Sequence, residues 1–401
     1  KVIDLGEQYL QGSFVKPGRP VPPTRRIATA LVRCDPTGDE KACGLLQMSV
    51  TVPPEVLYAS YWYRSGTNRT MRDHLARIAS EAMELTGKDN AVVLDIGCND
   101  GTLLRCYPPE FRRIGIDASD VARCAGGGLE IVNDFFPSAA LDARIGETRC
   151  DVITSIAMFY DLEDPARFCR AVKSMLAADG IWIFEMSYMP AMLDLNAYDT
   201  ICHEHLEYYS FAVVERLTGA AGLKIVKVAF NQSNGGSIRC YATHDGCFKY
   251  AGLAAQDAID DVRRREFERE LDTDKPYRHF QDRIEGHRRE LSALLKELKR
   301  GGKTIHLYGA STKGNTILQW CGIDHTVIPY AADRNPDKAG ARTIGTDIAI
   351  ISEEESRAMK PDYYLVLPWH FREEFMQREA ETLGRGTRFI FPLPTIEIVG
   401  S

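Results

Sequence analysis

The chain has 401 residues, of which 44% are hydrophobic and 26% charged, and its 49 Lys and Arg against 56 Asp and Glu give a formal net charge of −7. This globular composition excludes a disordered or fibrous protein, and the acidic balance argues against a nucleic-acid partner. Because no apolar run approaches the roughly 20 residues that a membrane-spanning helix needs, no membrane partner is expected either.

The length predicts two or three domains, at roughly 100–200 residues for each. The 11 cysteines are scattered without the spacing of a disulfide framework, and the first residues are too polar for a signal peptide. Free thiols are typical of a reducing compartment, so we expect a cytoplasmic protein. The oligomeric state, monomer or dimer, is left open.

Residues 1–75 are predicted to form a loop-rich N-terminal module. It contains the sequence GRPVPPT and an aromatic stretch that includes Tyr61 and Tyr63. In the segment MRDHLARIASEAMELT, apolar residues then recur at helical spacing. Gly87 follows directly and is expected to end this helix.

Residues 76–245 carry the pattern of an α/β domain. The apolar runs AVVLDIG, RRIGID, CDVITSIAMF and DGIWIFEMSY are predicted to be buried strands, and ARFCRAVKSMLAAD has helical character. A further helix is expected to start after the glycine turn GCNDG. Strands that alternate with helices predict a parallel, Rossmann-like sheet.

A glycine-rich turn follows the first of these strands, in the sequence VVLDIGCNDG. Asp95 ends the strand, and Gly97 and Gly101 let a ligand approach the backbone without a Cβ in the way. Asp117 closes the next strand, where a carboxylate suits two ribose hydroxyls. The spacing differs from the G-x-G-x-x-G of NAD-binding turns, because Asn99 stands where a second early glycine would be.

This arrangement resembles the class I S-adenosylmethionine (SAM) methyltransferases, in which the first Asp faces a cationic amino-acid group. A structural turn of another α/β domain is the alternative. The resemblance also implies adenine contacts from Asp134 and from an aromatic ring, Phe135, which lie where the third strand of that family ends. An ordinary loop at these two residues is the alternative there.

The segment DTICHEHLEYYS concentrates His203, Glu204 and His205 beside two tyrosines. Two alternating histidines on a strand can share a metal ion, although no third ligand is evident and the zincin spacing is missing. Packing of aromatic rings and hydrogen-bonded histidines is a second interpretation. The third is general-base chemistry, since imidazole removes protons at neutral pH and a neighbouring carboxylate can hold its tautomer. Methylation at carbon needs such a base.

The last part of the chain changes character twice. Residues 246–300 are strongly charged with helical periodicity, and we expect two solvated helices that link domains. Residues 301–401 return to the strand, glycine turn and helix order in KTIHLYGASTKGNTILQW. This turn lacks the order of a P-loop, but a glycine turn at a helix start with Lys313 suits a diphosphate.

Three further residues of this last domain are candidate substrate contacts. Asp333 ends the next strand and is expected near a nucleoside, while Trp369 and Arg372 are expected to line the cleft between domains. A purely structural turn at Lys313, and packing or surface roles for the other three, are the alternatives.

Together these motifs resemble the sugar C-methyltransferases, which use SAM to methylate carbon 3 of nucleotide-linked 4-keto deoxysugars. The resemblance covers essentially the whole chain and is carried by DTICHEHLEYYS, NGGSIRCY, YGASTKGNTILQ, DRNPDKAG and LVLPWHFREEF. It implies that His205 is the base with Glu204 beside it, and that the last domain helps to hold the nucleotide-sugar. It also implies that Tyr61 or, in preference, Tyr63 reaches the same pocket to orient the substrate or stabilise an enolate.

The resemblance implies further contacts, and at some positions this chain differs from the family. His203 is expected to touch the substrate, and Asn234, which stands where the family has a loop histidine, is a candidate hydrogen-bond donor. The family also has an N-terminal module with four cysteines and a structural Zn²⁺. Cys34 and Cys43 match its second pair, and the first pair is expected upstream of the sequence given. Cys202 replaces a family tyrosine, so the identity of the sugar is not carried over.

The sequence therefore predicts a three-part enzyme of the α/β class. An N-terminal module precedes a SAM-binding Rossmann-like domain and a second, C-terminal Rossmann-like domain, and the enzyme methylates a carbon next to a ketone. An O- or N-methyltransferase, an NAD-dependent nucleotide-sugar oxidoreductase or epimerase, and a non-catalytic zinc module are the alternatives.

Overall fold

The computed structural model describes residues 1–35, 42–58, 62–253 and 256–400. The N-terminal module contributes short elements, in chain order β1 (Ile3–Gln8), β2 (Phe14–Val15), β3 (Ile27–Arg33), β4 (Leu46–Met48) and α1 (Pro54–Tyr58). In β1 the buried side chains Ile3 and Leu5 alternate as the period of a strand requires. The module is loop-rich, as predicted.

The middle of the chain alternates helices and strands: α2 (Arg69–Thr86), β5 (Val92–Ile96), β6 (Arg112–Ile116), β7 (Glu130–Val132), α3 (Ala139–Ile145), β8 (Cys150–Ile156), α4 (Pro165–Met175), β9 (Leu176–Ser187), α5 (Met189–Asp194), β10 (Glu207–Tyr208), α6 (Phe211–Ala220), β11 (Leu223–Asn231) and β12 (Ser237–His244). All these strands except β10 form a seven-stranded sheet in the order β11-β12-β9-β8-β5-β6-β7. Neighbours from β9 to β7 are parallel, and β12 is antiparallel to both β9 and β11. The predicted Rossmann-like sheet is confirmed.

The carboxyl ends of these parallel strands bring the candidate cofactor residues to one edge of the sheet. The glycine turn follows β5, Asp117 follows β6, Asp134 follows β7, and Met158 comes shortly after β8. Ligands of open α/β sheets bind in the crevice outside the carboxyl ends of the strands. The fold therefore places the predicted SAM residues where a ligand of this class binds.

The last part of the chain forms a second sheet with helices on it: α7 (Gln256–Glu268), α8 (Lys275–Arg300), β13 (Ile305–Tyr308), α9 (Thr312–Cys321), β14 (Tyr330–Asp333), β15 (Arg342–Thr343), β16 (Ala349–Ser352), α10 (Glu353–Ala358), β17 (Tyr363–Val366), α11 (Arg372–Arg378), α12 (Ala380–Gly384), β18 (Arg388–Phe391) and β19 (Glu397–Val399). The sheet order is β19-β18-β17-β13-β14-β16-β15-β2, with parallel strands from β18 to β16 and antiparallel strands at both margins. The second Rossmann-like domain is confirmed.

The N-terminal segment contributes strands to two sheets. β1 joins β3, β4 and β10 in a four-stranded antiparallel sheet, whereas β2 pairs with β15 at the margin of the C-terminal sheet. Because β10 begins directly after the His-Glu-His segment, the four-stranded sheet anchors the candidate base to the N-terminal module. The sequence did not indicate these pairings.

The helices of residues 246–300 differ from the solvated linkers that their charge predicted. α7 buries Ile259 and Val262 against the core of the SAM-type domain. α8 buries an apolar stripe against the core of the C-terminal domain, formed by Tyr277, Phe280, Ile284, Leu291 and Leu295. Burying each such side chain stabilises the fold by roughly 1.5–3 kcal/mol. α7 is therefore part of the first α/β domain, and α8 is part of the C-terminal domain. No helix of the described residues has the length and apolar character needed to cross a membrane.

Two helix predictions around the glycine turn have different outcomes. α2 begins slightly earlier than expected because the Asn68 side chain caps its first turn, and it ends at Gly87 with a φ of 62°, as predicted. The α-helix expected after GCNDG does not form, and Leu104–Cys106 makes only a short 3-10 turn there. Pro108 follows almost at once and disfavours helical backbone in the residue before it.

Candidate active site

The glycine turn after β5 has the backbone that its sequence predicts. Gly97 and Gly101 have φ of 76° and 77°, and Asn99 has 49°. A side chain at position 97 would also collide with Met158, because an ideal Cβ would lie 2.9 Å from its Cγ. Left-handed backbone and close packing both require glycine here. The turn therefore presents bare backbone at the edge of the sheet.

Asp117 holds this turn from the end of β6. Its Oδ2 accepts a hydrogen bond from the N–H of Asn99, and its Oδ1 accepts one from the N–H of Ser119, both at 2.8 Å. An ionised carboxylate has about four acceptor positions, so capacity for two ribose hydroxyls is left. The geometry is compatible with the ribose contact predicted for Asp117, which stays a prediction.

Asp95 is buried behind the turn, with 3% of its surface exposed. Its Oδ1 accepts a hydrogen bond from the Thr154 hydroxyl at 2.6 Å. Burial and the negative charge of Asp117 raise the pKa of Asp95 to about 7. A cation nearby would favour the ionised form, which fits the predicted role of facing the ammonium group of SAM.

The predicted adenine contacts lie at the same edge. Phe135 is 40% exposed, and its N–H donates to Oδ1 of Asp134 at 2.8 Å. The neighbouring Asn133, which the sequence did not single out, donates from Nδ2 to the carbonyls of Asp117 and Ser119, both at 2.8 Å. The exposed ring of Phe135 can cover a planar ligand, and the roles of Asp134 and Phe135 stay predictions.

Tyr63 lies against the glycine turn. Asn99 donates from Nδ2 to the carbonyl of Tyr63 at 3.2 Å and accepts at Oδ1 from the N–H of Ser65 at 2.9 Å. Tyr63 is 47% exposed, yet the surrounding protein and the charge of Asp100 raise its pKa to about 12. Its phenol therefore remains a hydrogen-bond donor at neutral pH. Tyr61 and the side chain of Asn234 lie outside the described part of the structure.

His205 lies in the turn that leads into β10. Its Nδ1 is 2.8 Å from the carbonyl oxygen of Thr200. A carbonyl oxygen can only accept, so Nδ1 carries the proton and Nε2 keeps the lone pair. The imidazole packs on the ring of Tyr160, with centroids 4.4 Å apart. This is the tautomer that a general base needs.

The charge on Lys313 acts on this imidazole. Burial, followed by Lys313, lowers the pKa of His205 to about 3, so the ring is neutral at physiological pH and its protonated form is disfavoured. The same ammonium group acts on Asp199, Cys202 and His370. Desolvation by the surrounding protein lowers the pKa of Lys313 itself.

Glu204 is placed differently from the sequence expectation. A backbone carbonyl orients His205, in the role that the sequence assigned to Glu204. The Glu204 carboxylate instead faces the Thr312 side chain and Lys338, while burial raises its pKa to about 7. It also lies against Gly12. Glu204 thus connects the turn of the base to the C-terminal domain and to the N-terminal module.

His203 points into the N-terminal module. It is 1% exposed, with Nδ1 at 2.6 Å from Oε1 of Gln11 and Nε2 at 3.3 Å from the Thr29 hydroxyl. Because both ring nitrogens have partners inside the protein, this placement favours the structural interpretation over a substrate contact. His203 and His205 have separate partners, and the described residues contain no group of three or more His, Cys, Asp or Glu that could hold a metal.

Cys34 and Cys43 lie together, as their resemblance to a zinc-binding pair implies. The N–H of Cys43 donates to the Sγ of Cys34 at 3.4 Å. A structural zinc site needs four ligands, and the described residues bring no third ligand to these two thiols. The predicted Zn²⁺ is not supported by this part of the chain.

Asp333 has the same structural role in the C-terminal sheet as Asp117 has in the first. Its Oδ2 accepts from the N–H of Ala310 and its Oδ1 from the N–H of Asn335, both at 2.8 Å. It therefore supports the glycine turn before α9. A contact between Asp333 and a nucleoside stays a prediction.

The other two C-terminal candidates have partners within the protein. Trp369 is buried and donates from Nε1 to Oδ2 of Asp199 at 2.9 Å. Arg372 forms an ion pair with Glu397 at 2.7 Å. These placements favour the packing and surface roles that were the alternatives for both residues.

The structure adds residues to the site that the sequence did not reveal. Thr200 orients the base through its backbone carbonyl. Every residue has a backbone carbonyl, so the residue type at position 200 could not predict this contact. Tyr160 and Asp161 follow β8; the ring of Tyr160 packs on the base, and burial together with the charge of Glu204 holds the pKa of Asp161 well above its usual range. In the sequence, only their position just after a parallel strand could have marked these two residues as part of the site.

Two family models match the chain. One, described as a methyltransferase domain, matches residues 63–228, and the other, described as a C-methyltransferase C-terminal domain, matches residues 232–394. The chain is also 29% identical to the C-methyltransferase NovU of Streptomyces niveus over 371 residues, which cover 90% of this chain and 86% of that protein.

Solved structures resemble part of the chain. An S-adenosylmethionine-dependent methyltransferase from Clostridium acetobutylicum is 13% identical with a TM-score of 0.36, and the match covers 44% of this chain and 92% of the other. The magnesium protoporphyrin IX methyltransferase ChlM of Synechocystis, solved with bound SAM, is 13% identical with a TM-score of 0.33, covering 43% of this chain and 79% of the other.

Proposed function

We propose that this chain, a SAM-dependent C-methyltransferase, methylates the carbon next to the ketone of a nucleotide-linked 4-keto deoxysugar with His205 as the base. The reaction class rests on the two matched domains and the NovU relative, which set aside the NAD-dependent, O- or N-methylating and non-catalytic alternatives. The substrate and the base are supported by the site. The observation that carries the base is the hydrogen bond from Nδ1 of His205 to the Thr200 carbonyl, which leaves the lone pair on Nε2.

The residues at the carboxyl edge of the first sheet fit SAM. The Gly97 backbone is bare, Asp117 has unused acceptor positions, and Asp95 is a buried carboxyl without a cation beside it in the interactions described. When bound, SAM supplies a methyl group on a positively charged sulfur, an electrophile for an enolate carbon. The chain holds it through Asp95 at the ammonium group, Asp117 at the ribose and Phe135 at the adenine.

His205 makes the acceptor carbon nucleophilic. Its neutral imidazole removes the proton next to the ketone through Nε2, while Nδ1–H stays on the Thr200 carbonyl and prevents the ring from turning. The ring of Tyr160 covers one side of the imidazole. The phenol of Tyr63, which is protonated at neutral pH, is a candidate donor for orienting the substrate.

The nucleotide part of the substrate is proposed to lie on the C-terminal domain. Gly309 has a φ of 83° in the turn before α9, where Ser311 caps the helix. A glycine turn at a helix start presents backbone N–H groups that suit a diphosphate. Asp333 is the proposed nucleoside contact, and Asn234 remains a proposed donor at the sugar.

Methyl transfer from labelled SAM to a panel of nucleotide-linked 4-keto deoxysugars tests this function, with NMR to locate the new methyl group. His205→Asn is expected to lower kcat by about 10²–10⁴-fold, the usual contribution of a general base, and to leave SAM affinity unchanged. His279→Asn, at an exposed histidine of α8, is the matched control. Normal turnover by His205→Asn would remove this base, and transfer to no keto sugar would overturn the substrate class.

Two further expectations stay proposals. A structural Zn²⁺ at Cys34 and Cys43 needs ligands beyond the described residues, and metal analysis of the purified full-length protein tests it. The 11 cysteines are all free thiols, which suits the proposed cytoplasmic location, and cell fractionation tests that.

A further inference from the structure

Residues 62–67 form a segment that packs on the glycine turn after β5. The N–H of Ser65 donates to Oδ1 of Asn99 at 2.9 Å, and the N–H of Gly66 donates to Oδ2 of Asp100 at 2.8 Å. The approach is close, since an ideal Cβ on Gly66 would lie 2.9 Å from Oδ2 of Asp100. Both acceptors belong to the turn that is proposed to hold SAM. The segment therefore supports the SAM site directly.

The same segment is bonded to the C-terminal domain, at the loop that follows β14. Asn335 donates from Nδ2 to the carbonyl of Trp62 at 3.2 Å. Its neighbour Arg334 donates to the carbonyl of Thr67, also at 3.2 Å. The C-terminal domain thus holds the two ends of the segment, while the glycine turn of the first domain holds its middle. Residues 62–67 therefore connect the two domains at their proposed ligand sites.

A series of hydrogen bonds runs through this segment from one proposed ligand contact to the other. Oδ1 of Asp333 accepts from the N–H of Asn335, whose side chain donates to the carbonyl of Trp62. The next carbonyl along the chain accepts from Nδ2 of Asn99 at 3.2 Å, and the N–H of Asn99 donates to Oδ2 of Asp117. Asp333 is the proposed nucleoside contact and Asp117 the proposed ribose contact of SAM. The two carboxylates are therefore the ends of one series.

A ligand that fixes one end of this series makes the other end easier to fix. Ordering a segment costs conformational entropy, and the first ligand to bind bears that cost for residues 62–67. The second ligand then binds to a segment that is already ordered, which gives positive cooperativity without a change of fold. Because coupling between two sites is reciprocal, each ligand strengthens the binding of the other by the same factor.

We infer that Asn335, in the C-terminal domain, is a positioning residue for SAM: it holds residues 62–67 against the glycine turn after β5 and so makes SAM and the nucleotide-linked sugar bind cooperatively. This role rests on the proposed function, since it needs a nucleotide at the loop after β14. Asn335 itself needs to touch neither reactant, because it acts through the carbonyl of Trp62.

Calorimetry on the full chain measures this cooperativity. S-adenosylhomocysteine, which is SAM without its methyl group, is the cofactor probe because it cannot react. Thymidine, uridine, cytidine and guanosine diphosphates are titrated in turn, and the one that binds most tightly is the nucleotide probe. In the wild-type protein, each probe at saturation is expected to lower the Kd of the other by the same factor of about 5–150. Equal Kd values with and without the second probe would overturn the inference.

Asn335→Ser removes the bond to the segment and keeps the local turn. The serine hydroxyl remains an acceptor for the N–H of Asp337, which Oδ1 of Asn335 accepts at 2.9 Å in the wild type. It ends one bond short of the nitrogen that donates to the carbonyl of Trp62. The coupling factor should therefore fall towards one, and in turnover the KM for SAM should rise with kcat nearly unchanged. An unchanged factor, or a fall in kcat alone, would overturn the role of Asn335.

Asn99→Asp breaks the same series at its other end. The aspartate keeps an acceptor for the N–H of Ser65 and loses the donor to the carbonyl of Tyr63. It should reduce the coupling factor as Asn335→Ser does, together with a direct loss of affinity for S-adenosylhomocysteine, since Asn99 lies in the glycine turn itself. A full coupling factor in Asn99→Asp would show that this series of bonds does not connect the two sites, and would overturn the inference.

Thr70→Ala is the matched control. The Thr70 hydroxyl, on α2, donates to Oε2 of Glu374, on α11, at 2.6 Å. This is another bond between the same two domains, and it lies outside residues 62–67. Thr70→Ala should keep the full coupling factor. Equal loss of coupling in Thr70→Ala and Asn335→Ser would mean that general contact between the domains carries the effect, and would overturn the specific role of Asn335.

Failure of the proposed function gives a different result. If wild-type protein binds S-adenosylhomocysteine but none of the four nucleoside diphosphates, the proposed nucleotide site fails, and the positioning role is then tested by the cofactor probe alone. Asn335→Ser should raise the Kd of S-adenosylhomocysteine about twofold to tenfold, the usual effect of losing one hydrogen bond, and Thr70→Ala should leave it unchanged. Equal Kd values for Asn335→Ser and the wild type would overturn the positioning role.

Discussion

The carboxylate of Glu204 fills the space in which a side chain at position 12 would stand. An ideal Cβ on Gly12 would lie 2.8 Å from the Cδ of Glu204 and would overlap its Oε1. Since Glu204 directly precedes His205, this contact ties a turn of the N-terminal module to the position of the proposed base.

Gly12→Ala should therefore displace Glu204 and, through the shared backbone, His205. We expect kcat to fall by about 10²-fold, because a displacement of about 1 Å can cost that much, and the free energy of unfolding to fall by about 1–3 kcal/mol. Steady-state kinetics and urea unfolding measure the two effects. Gly246→Ala is the control, since a Cβ there meets nothing within 4 Å. Normal kcat in Gly12→Ala would show that Glu204 moves without disturbing the base.

Asp117 and Asp333 support equivalent turns, but only Asp117 is expected to bind SAM. Asp117→Ala removes hydrogen bonds to the ribose, and bonds to a charged group contribute about 1.5–3 kcal/mol each. The Kd for SAM should therefore rise about tenfold to a hundredfold or more in calorimetry. Asp333→Ala loses the corresponding contacts in the other sheet and should bind SAM normally. Equal effects of the two substitutions would contradict the ribose assignment.

The raised pKa of Asp95 should make the binding of SAM depend on pH. Its pKa in the free protein is raised to about 7, and only its ionised form attracts an ammonium group. Binding should therefore release a proton below pH 7, and affinity should increase as the pH rises from about 6 to about 8. Calorimetry in buffers of different ionisation enthalpy measures this release. Asp95→Asn should bind more weakly and lose this proton release, whereas a pH-independent wild-type affinity would mean that Asp95 does not face the cation.

The glycine turn was predictable from sequence because its requirements are local. Gly97 has a left-handed φ and no room for a Cβ, and Asp117 has to follow the adjacent strand. Buried parallel strands also appear as continuous apolar runs, so the strands of both α/β domains could be recognised. These features depend on neighbours in sequence or on the next strand.

The partners of the His-Glu-His segment could not be predicted in the same way. His203 and Glu204 are consecutive, yet one contacts Gln11 and the other Thr312, residues far apart in the chain. The strand that follows this segment, β10, has two residues and shows no periodicity. The base is oriented by a backbone carbonyl, at Thr200, which any residue would provide. Only the folded chain shows these relationships.

The charge of α7 misled the sequence prediction because one of its acidic residues is buried. The carboxylate of Glu266 accepts from the N–H groups of Phe211 at 2.6 Å and Ala212 at 3.0 Å, at the start of α6, and from the hydroxyl of Tyr188 at 2.8 Å. A solvated linker helix has no such contacts. Glu266 therefore attaches α7 to the SAM-binding domain.

Glu266→Ala would leave those donors in the protein interior without an acceptor. An unsatisfied buried group costs about 1–3 kcal/mol, so the free energy of unfolding should fall by at least about that amount in urea titrations. Glu268→Ala, at an exposed position of the same helix where Glu268 pairs with Arg264, should change it by no more than about 0.5 kcal/mol. Equal stability of the two variants would mean that α7 is held by its apolar face alone, because the buried carboxylate would then contribute nothing measurable.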